Sequence, residues 1–314
     1  MAGGRSANIT NLKKARASIN WVFNEAAKVP QEQQWPMIVT KVPEEKEVGT
    51  YLTVGDIGNA QLHTEGEAYT YEGISEDWKT ELTIQTYGKG VFATRKQMKD
   101  DQTMSVNGMF GTKLIRSMIE PKEQYIADMY NDGFSTAMAD GVYVFSATHP
   151  LSNAPGKYND NLVTGAITTD NIKTAINSFS LIKNQAGNRF PTKATHLLVN
   201  TMEQFTVYEL LESKLMAWEL MNTVNSIGKV NPFGVIFNDY IDHTSDGDTY
   251  SPWFMLDKTL YRADGAGCVY QYRGGMNTET ETDFDTKDYK TTCEEEYVAG
   301  FVSPGYAVIG SQNS

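Results

Sequence analysis

The chain has 314 residues, 40% of them hydrophobic, and a formal net charge of −12. A chain of this length and apolar content can bury a sizeable core and usually divides into two lobes, which excludes intrinsic disorder, and its negative balance argues against broad neutralisation of nucleic-acid phosphates. No stretch reaches the roughly 18 apolar residues of a membrane span and residues 1 to 30 carry no signal-type apolar run, so the sequence reads as soluble with no membrane partner.

The charge is uneven along the chain. From Met1 to Lys28, Arg5, Lys13, Lys14, Arg16 and Lys28 stand against Glu25, a net of +4. Within that basic stretch Leu12, Ala15, Ile19, Val22, Phe23 and Ala26 share a helical spacing, which predicts an amphipathic helix from Asn11 to Lys28. After Pro30 the helical signal stops. Pro36 and Pro43 oppose both helix and central strand, so QEQQWPMIVTKVPEEKEVG reads as an extended arm anchored by Trp35 and Met37.

From Val48 to Thr94 the pattern changes to strand and turn. Leu82, Ile84 and Thr86 alternate with Glu81, Thr83 and Gln85, while few large apolar residues lie between Gly55 and Glu76. A segment so polar cannot offset its ordering entropy alone and reads as a long β-ribbon stabilised by whatever it lies on, with an ordinary surface hairpin as the alternative.

The longest periodic stretch runs from Asp101 to Phe134. Met104, Met109, Phe110, Leu114, Ile115, Met118, Ile119, Tyr125, Ile126, Met129 and Tyr130 predict one apolar helical face. Gly108 and Gly111 predict a frayed start, Pro121 a kink near Met118, and Gly133 the stop. Beyond it VYVF (Val142–Phe145) reads as a short buried strand and HPLSNAPGKYND as a turn-rich loop. Thr169 and Asp170 open a helix carrying Ile172, Ala175, Ile176, Phe179 and Ile182, closed by Gly187. Strands follow at 194–200, 235–238, 253–256 and 268–272, with a helix from Met202 to Glu212, which makes an α/β lobe between about 155 and 275.

Chemistry-bearing patterns are weak. Ser146 and His149 lack a nucleophile-elbow turn, and a histidine beside proline reads as a structural hydrogen-bonding residue. Asp242, Asp246 and Asp248 suggest a calcium loop, but the place of its last carboxylate holds Trp253, so the stretch is a surface turn. Cys268 and Cys293 have no CxxC spacing and read as core fillers in a reducing compartment. No catalytic residue, metal site or cofactor site is assigned. From Met276 to Val302 the charge is −6, and Glu279, Glu281, Asp283 and Asp285 fall at alternate positions, which on one strand would place four carboxylates on one face. Strand pattern returns at Tyr289–Val302 and Tyr306–Ile309, expected to pack back under the long helix.

This order of arm, ribbon, long helix, α/β lobe and returning strands resembles the major capsid protein of tailed bacteriophages, an α+β, Hong Kong 97-type fold. YGKGVFATRKQMKDD (Tyr87–Asp101) and DGVYVFSATHP (Asp140–Pro150) are similar to the major head subunits of the Mu-like group. The resemblance implies an N-arm at 1–46, an E-loop ribbon at 47–92, a P-domain with its spine helix at 93–154 and return strands at 276–314, and an A-domain at 155–275. It implies a structural, non-enzymatic subunit that assembles with itself as hexamers and pentamers in the host cytoplasm, becoming the virion capsid around double-stranded DNA, which it touches weakly. A separate scaffold protein, a portal and decoration proteins are the further partners it implies; the short stretch before the arm points to a separate scaffold or to a mature chain. The candidate inter-subunit contacts are Lys13, Lys14, Arg16, Trp35, Tyr69, Tyr71, Trp78, Glu279, Glu281, Asp283 and Asp285. An encapsulin-type cargo shell shares the fold; an enzyme or a carbohydrate-binding adhesin is the alternative of another class, opposed by the absence of nucleotide, metal or nucleophile motifs and by the long amphipathic helix.

Overall fold

The computed structural model describes residues 33–60, 62–66, 68–69, 71–73, 76–96, 105–212, 227, 234–244, 251–263, 267–303 and 307–312. In chain order its elements are β1 (Thr40–Pro43), β2 (Val48–Val54), β3 (Glu76–Thr83), β4 (Gln85–Ala93), α1 (Ser105–Asn131), β5 (His149–Pro150), β6 (Tyr158–Asn159), β7 (Leu162–Thr164), α2 (Thr169–Leu181), β8 (His196–Asn200), α3 (Gln204–Glu212), β9 (Gly234–Asn238), β10 (Trp253–Leu256), α4 (Lys258–Ala263), β11 (Cys268–Thr282), β12 (Tyr289–Phe301) and β13 (Val308–Gln312). The predicted helix at 11–28 lies outside the described residues.

Leu114, Ile115, Met118, Ile119, Ile126, Ala127 and Tyr130 of α1 are all buried. Their three- and four-residue steps gather them on one side of the helix, and that side lies on β12 and β4. Pro121 sits inside α1, which continues to Asn131. The helix then tightens into a 3-10 turn at Asp132–Phe134. Gly133 serves there by its size: a β-carbon would stand 2.5 Å from Phe145 Cε2. Gly310 meets the same ring from β13, at 2.6 Å by the same measure, so Phe145 is wedged between two glycines.

Two sheets carry the rest. A four-stranded sheet has the order β1-β11-β12-β4 and a five-stranded sheet the order β7-β13-β10-β8-β9. β1 pairs parallel with β11 from Thr40–Val269 to Pro43–Tyr272. That edge position suits Pro43, which has no N–H to give a central ladder. β11 and β12 form a long antiparallel hairpin, and β12 passes the ladder on to β4. In the second sheet β8 and β9 are parallel while β10 runs antiparallel between β8 and β13.

Three apolar clusters follow from this layering. One gathers Trp35, Ile126, Tyr130, Phe145, Phe254, Tyr270, Tyr297 and Val308, and so spans both sheets and the C-terminal half of α1. A second lies under α2 and holds Ile172, Phe179, Leu197, Trp253 and Ile309. The third is the distal contact of Leu114, Ile115, Met118 and Ile119 with Cys293.

The structure departs from the sequence pattern in several places. Val142–Phe145 is not a strand: Tyr143 makes an isolated bridge to Ala137, and Val144 and Phe145 are buried by a bent backbone that turns around Gly133. Helix α2 is capped by Thr168, whose Oγ1 accepts the Asn171 N–H, and it ends at Leu181; Gly187, φ 83°, instead closes the turn from Asn184. The last strand does not return beneath α1. β13 pairs with β10 and β7 in the five-stranded sheet, because Val308 and Ile309 point into the two clusters on its opposite faces. β4 likewise belongs to the four-stranded sheet, so the projecting hairpin comprises only β2 and β3.

Candidate functional site

The charged and aromatic residues proposed from sequence fall into three places with different environments. The first lies where the arm crosses α1. Trp35 is only 6% exposed, and its ring is tilted 4.6 Å from that of Tyr270. Glu123 fixes this turn of the arm: its carboxylate accepts the Trp35 N–H at 2.9 Å and the Gln34 N–H at 3.0 Å. Burial pushes the Glu123 carboxyl above the ordinary carboxylate range, opposed by those two N–H donors and by Lys122. One position earlier on α1, Lys122 donates to both carboxylate oxygens of Glu295 at 2.6 Å. Tyr270 adds its hydroxyl to Glu295 at 3.2 Å. The pair is nearly dry, with side chains 5% and 9% exposed. Desolvation offsets most of the attraction in such a pair, so it acts chiefly to fix geometry between helix, arm and sheet. Trp35 is thus an anchor within its own chain. Sequence reasoning missed Lys122 and Glu295, although Lys122 falls on the apolar stripe of α1, four residues before Ile126, where a charge needs a partner.

The second place is the hairpin of β2 and β3. Its stem rests on the four-stranded sheet. Gln271 donates to the Tyr51 hydroxyl at 2.9 Å, a β-carbon on Gly49 would overlap the Gln271 side chain, and Leu82 lies 2.7 Å from where a Gly300 β-carbon would be. Where the strands end, polar bonds replace apolar contact. Asp56 accepts the Gln185 N–H at 2.9 Å through its carboxylate and the Asn153 side-chain amide at 2.9 Å through its carbonyl. Asp77 accepts the Ser152 hydroxyl, and Ser152 N–H donates to the buried Gln185 side chain at 2.9 Å. Beyond this latch the side chains turn to solvent. Ile57, Leu62, Tyr69 and Tyr71 are exposed, Leu62 and Tyr71 at 95% and 89%. Trp78, on the stem, is half-buried.

The third place is the far end of the β11–β12 hairpin. The carboxylate row is shorter than the alternation suggests: β11 ends at Thr282, so Glu279 and Glu281 share an exposed strand face while Asp283 and Asp285 lie in the turn. Asp283 accepts the N–H groups of Asp285 (2.9 Å) and Thr286 (3.1 Å) and pairs with Lys290. The Lys290 ammonium and these two donors hold its carboxyl far below the usual range. Lys13, Lys14 and Arg16 lie outside the described residues, as do Asp246 and Asp248.

The remaining chemistry-bearing residues have structural surroundings. His149 is buried, with Nδ1 2.7 Å from Asp140 Oδ2 and Nε2 3.2 Å from the Val144 carbonyl. Asn161 donates to that same carbonyl and accepts the Ser146 N–H, so the group holds the bent Val142–Phe145 backbone. Cys268 and Cys293 are free and buried. Among the described residues no cluster of three or more potential metal ligands occurs, and no helix is long and apolar enough to cross a membrane.

A long helix laid on a four-stranded sheet, a two-stranded hairpin whose stem rests on that sheet and a mixed five-stranded lobe together define the Hong Kong 97-type capsid fold. A family model described as phage capsid protein matches residues 78–309, and the chain belongs to that family. It is a structural major capsid protein of a phage, a component of the virion shell that associates with its own kind. Similar solved structures share the fold at low identity. The capsid of a native GTA particle is 10% identical with a TM-score of 0.59, covering 91% of each chain. The mature capsid of bacteriophage PhiM1 is 9% identical with a TM-score of 0.59, covering 89% of this chain and 86% of that one. The procapsid of bacteriophage JBD30 is 13% identical with a TM-score of 0.51, covering 98% of this chain and 75% of that one. No curated protein sequence matches the chain.

Proposed function

We propose that the chain has no catalytic role and builds a closed icosahedral shell of hexamers and pentamers around a double-stranded DNA genome, each subunit being held by a ribbon tip that reaches a neighbour. The observation that carries this reading is the contrast within one hairpin: its stem is bonded to its own subunit, while Ile57, Leu62, Tyr69 and Tyr71 beyond the latch face solvent. Apolar side chains gathered on a reaching element mark a protein contact. Many modest contacts per subunit raise the effective concentration of each, so departure from a closed shell becomes rare. Tyr69 and Tyr71 are the tip contacts, with Trp78 setting the stem. Lys13, Lys14 and Arg16 meet acidic surface at Glu279, Glu281, Asp283 and Asp285 of another copy.

A separate scaffold protein, a portal, decoration proteins and weakly held DNA complete the set of partners, and the Mu-like motifs at Tyr87–Asp101 and Asp140–Pro150 support that subgroup. Assembly takes place in the host cytoplasm. Replacing residues 58–73 by a short Gly-Ser linker tests the central claim. The variant should melt as the wild type does and give no closed particles in electron micrographs; normal shells would refute a clamping tip.

A further inference from the structure

The β11–β12 turn is more tightly determined than a connection between two strands requires. Asp283 N–H donates to the Asp288 carbonyl at 2.9 Å and Lys287 N–H to the Asp283 carbonyl at 3.0 Å. The Asp283 carboxylate takes the amides of Asp285 and Thr286, the Asp288 amide meets Thr286 Oγ1 at 3.4 Å, and the Arg95 amide is 3.3 Å from Asp288 Oδ1. Lys287 adopts a left-handed backbone, φ 60°, where glycine or asparagine is the usual choice. That conformation places its ammonium 4.2 Å from the centre of the Phe284 ring. The ring itself is 84% exposed. A single exposed apolar residue is ordinary. One carried on a turn whose flanking amides are bonded, with the Lys287 ammonium over its ring, is partly preordered, so less freedom is lost when a partner covers it.

Charge around the ring selects the partner. Between Glu279 and Lys290 five acids stand against Lys287 and Lys290, a net of −3. Phosphates of nucleic acid or anionic lipid would be repelled there. The complementary sequence is in the chain itself: residues 1–28 carry +4 and interleave Leu12, Ile19, Val22 and Phe23 with the cations.

We propose that Phe284 is the apolar anchor of an acidic docking site that takes the basic segment 1–28 of a second copy of this chain. This rests on the shell reading and extends it, by placing the energetic centre of the arm contact at the turn and not at the carboxylates. An aromatic anchor surrounded by charged rim groups is the usual distribution of binding energy at a protein interface.

The test uses the full-length chain and the threshold concentration for shell formation, read by light scattering with micrographs as a check. Phe284→Ala should melt as wild type and raise the threshold about tenfold or more, the loss expected of a hot-spot side chain, while Phe284→Leu should restore most of it. Lys13→Glu, Lys14→Glu and Arg16→Glu together should also raise it. Combined with Phe284→Ala they should add little, since both changes break one contact. A wild-type threshold for Phe284→Ala overturns the anchor. Effects that simply multiply overturn the arm as its occupant. A wild-type chain that forms no shells under any condition fails the shell reading first, and this inference with it.

Discussion

The stem and the tip of the ribbon belong to one hairpin and are held by opposite means. The stem is fixed by fit and by polar bonds: Gly49 against Gln271, Leu82 against Gly300, and then Asp56 and Asp77 on Gln185 and Ser152. Among the described residues of the tip, Ile57, Leu62, Tyr69 and Tyr71 face water, the rings of His63 and Tyr69 stack at 4.2 Å, and the Gly58 amide meets Glu72 at 2.6 Å. A binding element needs both parts. The latch fixes the stem to its own subunit, and the tip leaves its apolar side chains open, as the proposed clamp requires. Low apolar content over the whole segment therefore does not mean a uniform ribbon.

The body against which the stem is held can be broken most severely at the buried ion pair. Lys122→Ala should lower unfolding free energy by about 3–5 kcal/mol in urea titrations, because Glu295 is left charged and uncompensated in a dry site. A loss below 1 kcal/mol would show that water reaches the pair. The next effect turns stem into tip: Asp56→Ala with Asp77→Ala removes hydrogen bonds worth about 1–3 kcal/mol together. Amide exchange should then accelerate through Val48–Val54 while the five-stranded sheet stays protected; unchanged exchange would mean the sheet contact alone holds the stem. Smaller still, Leu62→Ser or Tyr71→Ser should change subunit stability by no more than about 0.5 kcal/mol, yet impair particle formation. A tip variant that melts early would place those side chains in the subunit's own packing.

The smallest expected effect separates two carboxylates by pH. Glu123 is raised in the folded protein, so the folded state binds its proton more readily than the unfolded chain does. Its contribution to stability therefore rises as pH falls through that raised value toward 4.5, the ordinary value. Asp283 is lowered, so its contribution is present above 3.8 and is lost as pH falls through the folded value. Comparing Glu123→Gln and Asp283→Asn with wild type across that range should give differences of opposite slope. Equal slopes would reject the burial account of Glu123.

Helix α1 was legible because burial on one face imposes a period, and the strands at 196–200 and 253–256 because continuous apolar runs bounded by turns have few other uses. The bent Val142–Phe145 stretch was not, since β-branched and aromatic residues look the same whether they extend or wrap around a glycine. Strand β13 was placed on the wrong neighbours because pairing is non-local, and its pattern contains nothing about partners as distant in the chain as Phe254 and Met255. The latch had no signature at all: Asp56, Asp77, Ser152 and Gln185 are ordinary polar residues whose meaning lies only in their meeting. Trp35 was read as a contact to another subunit, but Glu123 and Tyr270, far along the chain, hold it within its own, and Met37, read as its fellow anchor, is exposed.

The two cysteines give the particle a chemical clock. Burial raises the Cys268 thiol to about 12 and the Cys293 thiol to about 11, so neither is nucleophilic near neutrality while it stays covered. Cys293 lies beneath Leu114, Ile115 and Met118, so its alkylation requires α1 to part from the sheet. Reaction with a small electrophile thus measures how often the helix lifts, in a free subunit and in a finished shell alike, without adding any label to the surface.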